Sequence, residues 1–368
     1  AALCVAASVL TAAVGSGQSA ASATPDGRAR ADWTNTGRQA DFVMRRFRFT
    51  DGSVLPELRI HYTTLGRPRK DADAVVRNAV LVLHGTTGTG RGFLTATFAG
   101  ELFGPGQLLD SSTHFIILPD GIGTGKSSKP SDGLRASFPH YGYADMVTAQ
   151  YRLVTEELGV NHLLLVLGTS MGAMQSWMWA ERYPDFMDGV APLASAPTQI
   201  AGRNRMMRRL VSQSIRSDPE WRGGNYTTQP HGLFGALEML FMMTSSPRYL
   251  HRLAPTRDSA DAYIDSWIRS RLRTTDANDF MYQFEASSDY DPSAQLEKIR
   301  APVLAINSAD DLVNPPELEL MERLIKRVPH GRYVLLPITD ETRGHGTHSL
   351  PRIWKSYLAE FLLTLPRY

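Results

Sequence analysis

The sequence predicts an α/β protein built on a mostly parallel, doubly wound sheet with an inserted helical lid. Three observations carry this. Continuous apolar runs at 79–83, 115–118, 163–167, 190–193, 303–306 and 333–337 are too short for helices and rich in Val, Ile and Leu, as strands buried on both faces are. Helical patterns over 143–158, 171–183, 316–328 and 353–363 alternate with those runs, which gives right-handed crossovers. Between Pro197 and about Leu296 the strand rhythm stops and a Met- and Arg-rich, mainly helical stretch takes over.

Taken in order, the chain of 368 residues begins with an apolar run, Ala1 to Val14, that leads to Ala21-Ser22-Ala23, a small-x-small cleavage pattern. Residues 1–23 therefore read as a signal peptide lacking its basic start. The run is too short to span a bilayer, so the expectation is a periplasmic or secreted chain with no stable membrane anchor. The single cysteine, Cys4, lies in this segment. Leu3, rather than a small residue, precedes it, which argues against lipid modification, and the remaining chain has no disulfide to form. Residues 24–37 are polar and small, a flexible lead-in. Two alternating runs around Asp51-Gly52, 41–49 and 58–64, form an opening antiparallel hairpin. Residues 38–197 and 297–368 then make the core, and 198–296 make the lid over the C-terminal edge of the sheet, where ligands bind in open α/β folds.

With 42% hydrophobic and 21% charged residues and a net charge of +2, the composition excludes a polyanion binder, and nucleic acid is not an expected partner. The arginines at 45, 46 and 48, and Arg203, Arg205, Arg208 and Arg209 on the lid, lack interleaved aromatic residues and read as solvated surface charge.

The chemistry is concentrated where the run 163–167 enters Gly168-Thr169-Ser170-Met171-Gly172 and a helical pattern follows at once. G-x-S-x-G between strand and helix is the nucleophile elbow of α/β-hydrolase folds. A sharp turn strains the serine backbone, and the glycines let helix and strand pack closely. Serine needs a base, and the base needs an orienting carboxylate, in this fold in the order Ser, Asp, His. The loop after the run 303–306 contains Asp310 and Asp311, and D-x-x-x-P selects Asp311, with Asp310 as the alternative whose ordinary role is capping. After the last predicted strand, Gly344-His345-Gly346-Thr347-His348 offers the base, and His345 is preferred to His348. A metal pair of these two histidines has no third ligand nearby, and neither metal nor cofactor is expected. Leu83-His84-Gly85-Thr86 would supply the Thr86 N–H to an oxyanion hole, with the Met171 N–H as the second donor and His84 as an organiser of the loop. Asp120-Gly121-Ile122-Gly123-Thr124-Gly125-Lys126-Ser127 resembles a phosphate loop, but a carboxylate stands where that loop needs glycine, so ATP is not expected. Lid residues Met206, Met207, Met239, Met242 and Met243 with Phe234, Phe241 and Trp267 either line an adaptable apolar pocket or pack helices.

Several segments together resemble the homoserine O-acetyltransferase family: Phe138-Pro139 through Asp145-Met146-Val147-Thr148-Ala149-Gln150, Leu158-Gly159-Val160, Gly168 to Gln175, Tyr183-Pro184-Asp185, Ile215 to Tyr226, Asp276-Ala277-Asn278 and Gly344-His345. The similarity runs through most of residues 41–365. It implies an α/β-hydrolase core with a helical lid, a Ser170-Asp311-His345 triad that forms an acyl-enzyme, and a homodimer made through the lid. Two departures bear on the reaction. The loop Pro119 to Ser128 is shorter than the family's, and Ser212 stands where the family carries an arginine for the substrate carboxylate. With export, which separates the chain from a cytoplasmic acyl-CoA donor, these departures favour hydrolysis of a small carboxylic ester with a short acyl group. Transfer of the acyl group to a hydroxyl or amine is the alternative. Activity is expected to rise as the histidine base loses its proton, between about pH 6 and 8 for an ordinary imidazole.

Overall fold

The computed structural model describes Trp33 and residues 36–366; the proposed signal segment lies outside the described residues. The first part of the chain contributes β1 (Arg38–Arg48), β2 (Val54–Leu65), β3 (Ala79–Leu83), α1 (Ala99–Leu102), β4 (Phe115–Pro119), α2 (Tyr143–Arg152), β5 (Leu163–Thr169), α3 (Met171–Arg182) and β6 (Met187–Leu193). Five helices follow without an intervening strand: α4 (Gly202–Arg216), α5 (Gly232–Thr244), α6 (Pro247–Leu253), α7 (Arg257–Leu272) and α8 (Ala277–Glu285). The chain then returns to the sheet through β7 (Val303–Ser308), α9 (Leu320–Leu324), β8 (Gly331–Leu336) and α10 (Pro351–Leu362).

All eight strands join one sheet in the order β1-β2-β4-β3-β5-β6-β7-β8. The β1–β2 hairpin is antiparallel and turns at Asp51-Gly52, where the Asp51 carboxylate accepts the Ser53 N–H at 2.8 Å and Gly52 adopts φ +89°. Strand β2 also runs antiparallel to β4; every pairing from β4 to β8 is parallel. Period-two alternation assigns the buried residues to two layers. Ala79, Leu81 and Leu83 of β3 face α2 and α3, where Trp177 and Trp179 are fully buried. Val80 and Val82 face α1 and α10 with Trp354, Leu358 and Phe361. This two-sided burial is why the parallel strands read as unbroken apolar runs.

Several element boundaries differ from the sequence reading, two of them for a visible physical reason. Strand β6 starts at Met187 rather than Val190, because Asp188 is accommodated in the strand by a 2.8 Å contact with the His162 ring. The helical pattern predicted over 316–328 is broken: Glu319 adopts φ +50°, outside the right-handed helical region, and only Leu320–Leu324 is α-helical.

Trp354 anchors the second layer. It is fully buried, its Nε1–H donates to the His348 carbonyl at 3.1 Å, and its ring packs edge-on against Phe98 at 6.1 Å. Trp354→Ala is expected to destabilise the fold by about 3–5 kcal/mol, measured as a lower urea midpoint at unchanged m-value. A shift below 1 kcal/mol would show that α10 does not hold the layer together.

Candidate active site

The end of β5 and the start of α3 set the nucleophile position. Ser170 sits between them at φ +53°, ψ −112°, an uncommon conformation for a side-chain-bearing residue, and its N–H donates to the Leu193 carbonyl of β6 at 2.8 Å. The flanking glycines have a steric cause. A Cβ on Gly168 would lie 2.1 Å from the Gly172 carbonyl oxygen, and one on Gly172 would lie 2.1 Å from that of Leu83. Strand and helix backbones meet at a distance that admits no side chain.

The loop after β8 brings His345 to this turn. His345 Nε2 lies 2.7 Å from Ser170 Oγ, and Nδ1 lies 2.8 Å from Asp311 Oδ2. Asp311 is 1% exposed, and its carboxylate also accepts from Val313 N–H at 2.8 Å and Asn314 Nδ2 at 3.0 Å. Burial works against its charge, but His345 and these donors prevail and hold the carboxyl below its ordinary range. A carboxylate that stays ionised here can fix the ring so that Nε2 is free to accept the serine proton.

The neighbouring candidates are placed differently. Asp310 makes no hydrogen bond to His345 among the described residues: it accepts from Ser308 Oγ at 2.6 Å, Ser246 Oγ at 2.9 Å and the Gly344 N–H at 2.9 Å, so it ties β7, the lid and the histidine loop together. The ring of His348 stands edge-on to His345 at 5.3 Å, and burial, reinforced by His345, pushes its pKa down to about 3. Both ring nitrogens of His345 are engaged by Ser170 and Asp311, so a metal shared with His348 would have to displace one of them.

Thr86 follows β3 on a loop beside the nucleophile; a Cβ on Gly85 would lie 3.2 Å from Ser170 Cβ. The Gly85 carbonyl accepts from the Gly88 N–H at 2.9 Å and contacts His84 Nδ1 at 2.8 Å. Because His84 Nε2 accepts the Gly121 N–H at 2.9 Å, Nδ1 carries the proton and donates. Burial keeps the ring neutral by lowering its pKa. A trans peptide points its N–H opposite to its C=O, so these bonds to Gly85 O turn the Thr86 N–H the other way. Met171 N–H is the first of α3 and has no acceptor within its own helix. Thr86 and Ser170 line one cavity, and the Thr86 and Met171 N–H groups are the candidates to hold a tetrahedral oxyanion formed there.

A cavity of about 580 Å³ opens onto Ser170 and His345 from the Thr86 side, with Met207, Trp267 and Phe284 among its walls. A smaller one, about 80 Å³, reaches Ser170 along Met174, Ile200 and Val313. Of the lid methionines and aromatics singled out in the sequence, Met207 and Trp267 line the larger cavity, whereas Met206, Met242 and Phe234 are exposed. The reading of the lid arginines as surface charge needs one correction. Arg203, Arg205 and Arg209 are exposed, but Arg208 is 4% exposed and lines both cavities. It shares a helical face with buried Val211, Ser212 and Ile215, an i, i+3, i+4, i+7 spacing that was readable in the sequence. The phosphate-loop look-alike is closed internally: the Asp120 carboxylate accepts the N–H groups of Gly90 at 2.8 Å and Lys126 at 2.9 Å.

A serine, an imidazole and a carboxylate in one hydrogen-bonded chain, at the C-terminal edge of this sheet and under a helical insert, define the class: a protein of the α/β-hydrolase fold. The family model described as alpha/beta hydrolase fold matches residues 78–345. A relative named "Probable acyltransferase" from Methanothermobacter thermautotrophicus is 29% identical over 83% of this chain and 91% of its own length. The homoserine O-acetyltransferase of Pelobacter propionicus is 30% identical over 81% of this chain and 88% of its own. Among solved structures, an acetylester hydrolase from Corynebacterium glutamicum superposes with a TM-score of 0.76 at 21% identity, covering 89% of this chain and 96% of that one. The chain belongs to the homoserine O-acetyltransferase-like family of α/β-hydrolase-fold proteins.

Proposed function

We propose that the protein is an O-acyltransferase that carries the acyl group on Ser170 and delivers it to the hydroxyl of an acceptor bearing a carboxylate. In the first half-reaction His345 takes the serine proton, Ser170 Oγ attacks the acyl carbonyl, the oxyanion is held by the Thr86 and Met171 N–H groups, and the leaving group departs with the proton from His345. In the second, the acceptor hydroxyl repeats the cycle in reverse. The observation that carries the choice of acceptor is Arg208. Its guanidinium is buried beside the cavity among neutral groups: Asn204 Oδ1 at 3.0 Å, Ser287 Oγ at 3.1 Å, the Phe284 ring at 5.6 Å and the nearby Tyr143 hydroxyl. No ion pair to it occurs among the described residues. A buried cation without a counter-ion is costly unless an anion completes the site. Arg208 lies one helical turn before Ser212 on α4, so the missing family arginine no longer counts against transfer. The names of the curated relatives also favour transfer over the hydrolysis expected from sequence.

Hydrolysis remains the second reading, favoured by the likeness to a solved acetylester hydrolase, whose activity is that protein's own. The two separate when a chromogenic acetyl ester is turned over with and without homoserine, a carboxylate-bearing hydroxyl acceptor. Transfer predicts an O-acetylated acceptor and faster ester consumption. Arg208→Met is expected to raise the acceptor KM by about 10- to 100-fold, the worth of one charge-assisted hydrogen bond. Free acetate as the sole acyl product at every acceptor concentration, from homoserine or any other hydroxy acid, would reject transfer in favour of hydrolysis.

A further inference from the structure

We infer that Gln283, a residue of the helical insert with no part in the proton relay, positions the oxyanion hole. The inference rests on the acyl chemistry proposed for Ser170 and holds for transfer and hydrolysis alike.

Gln283 lies on α8, whose residues Ala277 to Phe284 are all buried, and is itself 7% exposed. Its side-chain carbonyl accepts the Thr87 N–H at 2.9 Å, and its amide nitrogen donates to the Gly123 carbonyl at 2.8 Å. The partners are a backbone donor and a backbone acceptor, so the amide can face only one way. The residue it grips is unusual. Thr87 has φ +65°, a left-handed conformation that is an outlier for a β-branched side chain and needs support from its surroundings.

The consequence falls on Thr86. The peptide before it is fixed by the bonds to Gly85 O, and the peptide after it is fixed by Gln283 holding the Thr87 N–H. Thr86 and Thr87 are the central pair of the turn that the Gly88 N–H closes on Gly85 O, so by holding Thr87 Gln283 preserves that closing bond and, with it, the plane that carries the Thr86 N–H. Without Gln283, Thr87 can relax to negative φ, which opens the turn closed on Gly85 O and releases the plane that carries the Thr86 N–H. A donor aimed at a developing oxyanion is worth about 10²–10³ in kcat, and a misaimed one keeps only part of that. Through the Gly123 contact, the same amide also ties α8 to the loop that braces His84.

The test compares Gln283→Leu, which removes both bonds, with Gln283→Glu, which keeps an acceptor for Thr87 but loses the donor to Gly123. The readouts are kcat and KM on a chromogenic acetyl ester, affinity for a trifluoromethyl ketone whose hemiketal with Ser170 places an oxyanion in the hole, the pH–rate midpoint, and Tm. Leu is expected to lower kcat by about 10- to 100-fold and ketone affinity by the same factor, with KM within about twofold and the pH midpoint unmoved. Glu is expected to show a smaller loss in which the two quantities again fall together, and it carries the test if Leu does not fold. Wild-type kcat and ketone affinity in a folded variant, or a loss confined to KM, would overturn the inference. Failure of the underlying reading looks different: Ser170→Ala would still turn over the ester.

Discussion

Ser170→Ala should lower kcat for a chromogenic acetyl ester by about 10⁵- to 10⁶-fold, with little change in Tm or in affinity for a non-reacting substrate analogue. The size of the effect follows from the half-reactions. If the acyl group passes through Ser170 Oγ, no other group in the site can replace the oxygen. What survives is the background that the oxyanion donors and substrate binding sustain with water. Stability should hold, because Ser170 Oγ contacts the His345 ring and the strain at φ +53° belongs to the backbone, which alanine shares. Residual turnover above about 1% would place the nucleophile elsewhere.

Asp311→Asn should cost about 10⁴-fold in kcat while leaving the fold intact. The asparagine amide matches the carboxylate in shape, but it can offer an N–H to His345 Nδ1. That selects the tautomer with the proton on Nε2, the wrong state to accept one from Ser170 at 2.7 Å. The paired control is Asp310→Asn. Asp310 is next in sequence and also buried, yet its three bonds reach Ser308, Ser246 and Gly344. Its loss should appear mainly as lower Tm, with a kcat effect at least tenfold smaller than that of Asp311→Asn. Equal kcat losses in the two variants would mean that the contact between Asp311 and His345 has no special role.

The strand framework was legible because burial on both faces leaves no polar punctuation inside a parallel strand, so β3, β4, β5 and β7 read directly as apolar runs. Where a buried polar residue is satisfied by a distant partner, as Asp188 is by His162, the run looks shorter than the strand. The position of the nucleophile was legible for a related reason: G-x-S-x-G records a clash between backbones, and only glycine avoids it. What stayed hidden depends on which way a side chain turns within a folded loop or helix. Asp310 and Asp311 are adjacent letters with opposite surroundings. Arg208 is one of four arginines clustered over 203–209; its spacing to Val211, Ser212 and Ile215 marks the buried face of α4, but not the cavity that face borders. Gln283 reaches Thr87 across 196 positions of sequence, a separation no local pattern encodes.

Residence of an acyl group on Ser170 is tested most directly by intact-protein mass spectrometry after rapid acid quench of the enzyme with excess acetyl ester. The predicted result is one added acetyl group, mapped by digestion to the peptide containing Ser170, absent in Ser170→Ala, and discharged when a hydroxyl acceptor is added before the quench. Turnover at the normal rate with no covalent adduct at any quench time, even when the second half-reaction is slowed by withholding acceptor, or an adduct mapped to another residue, would contradict it.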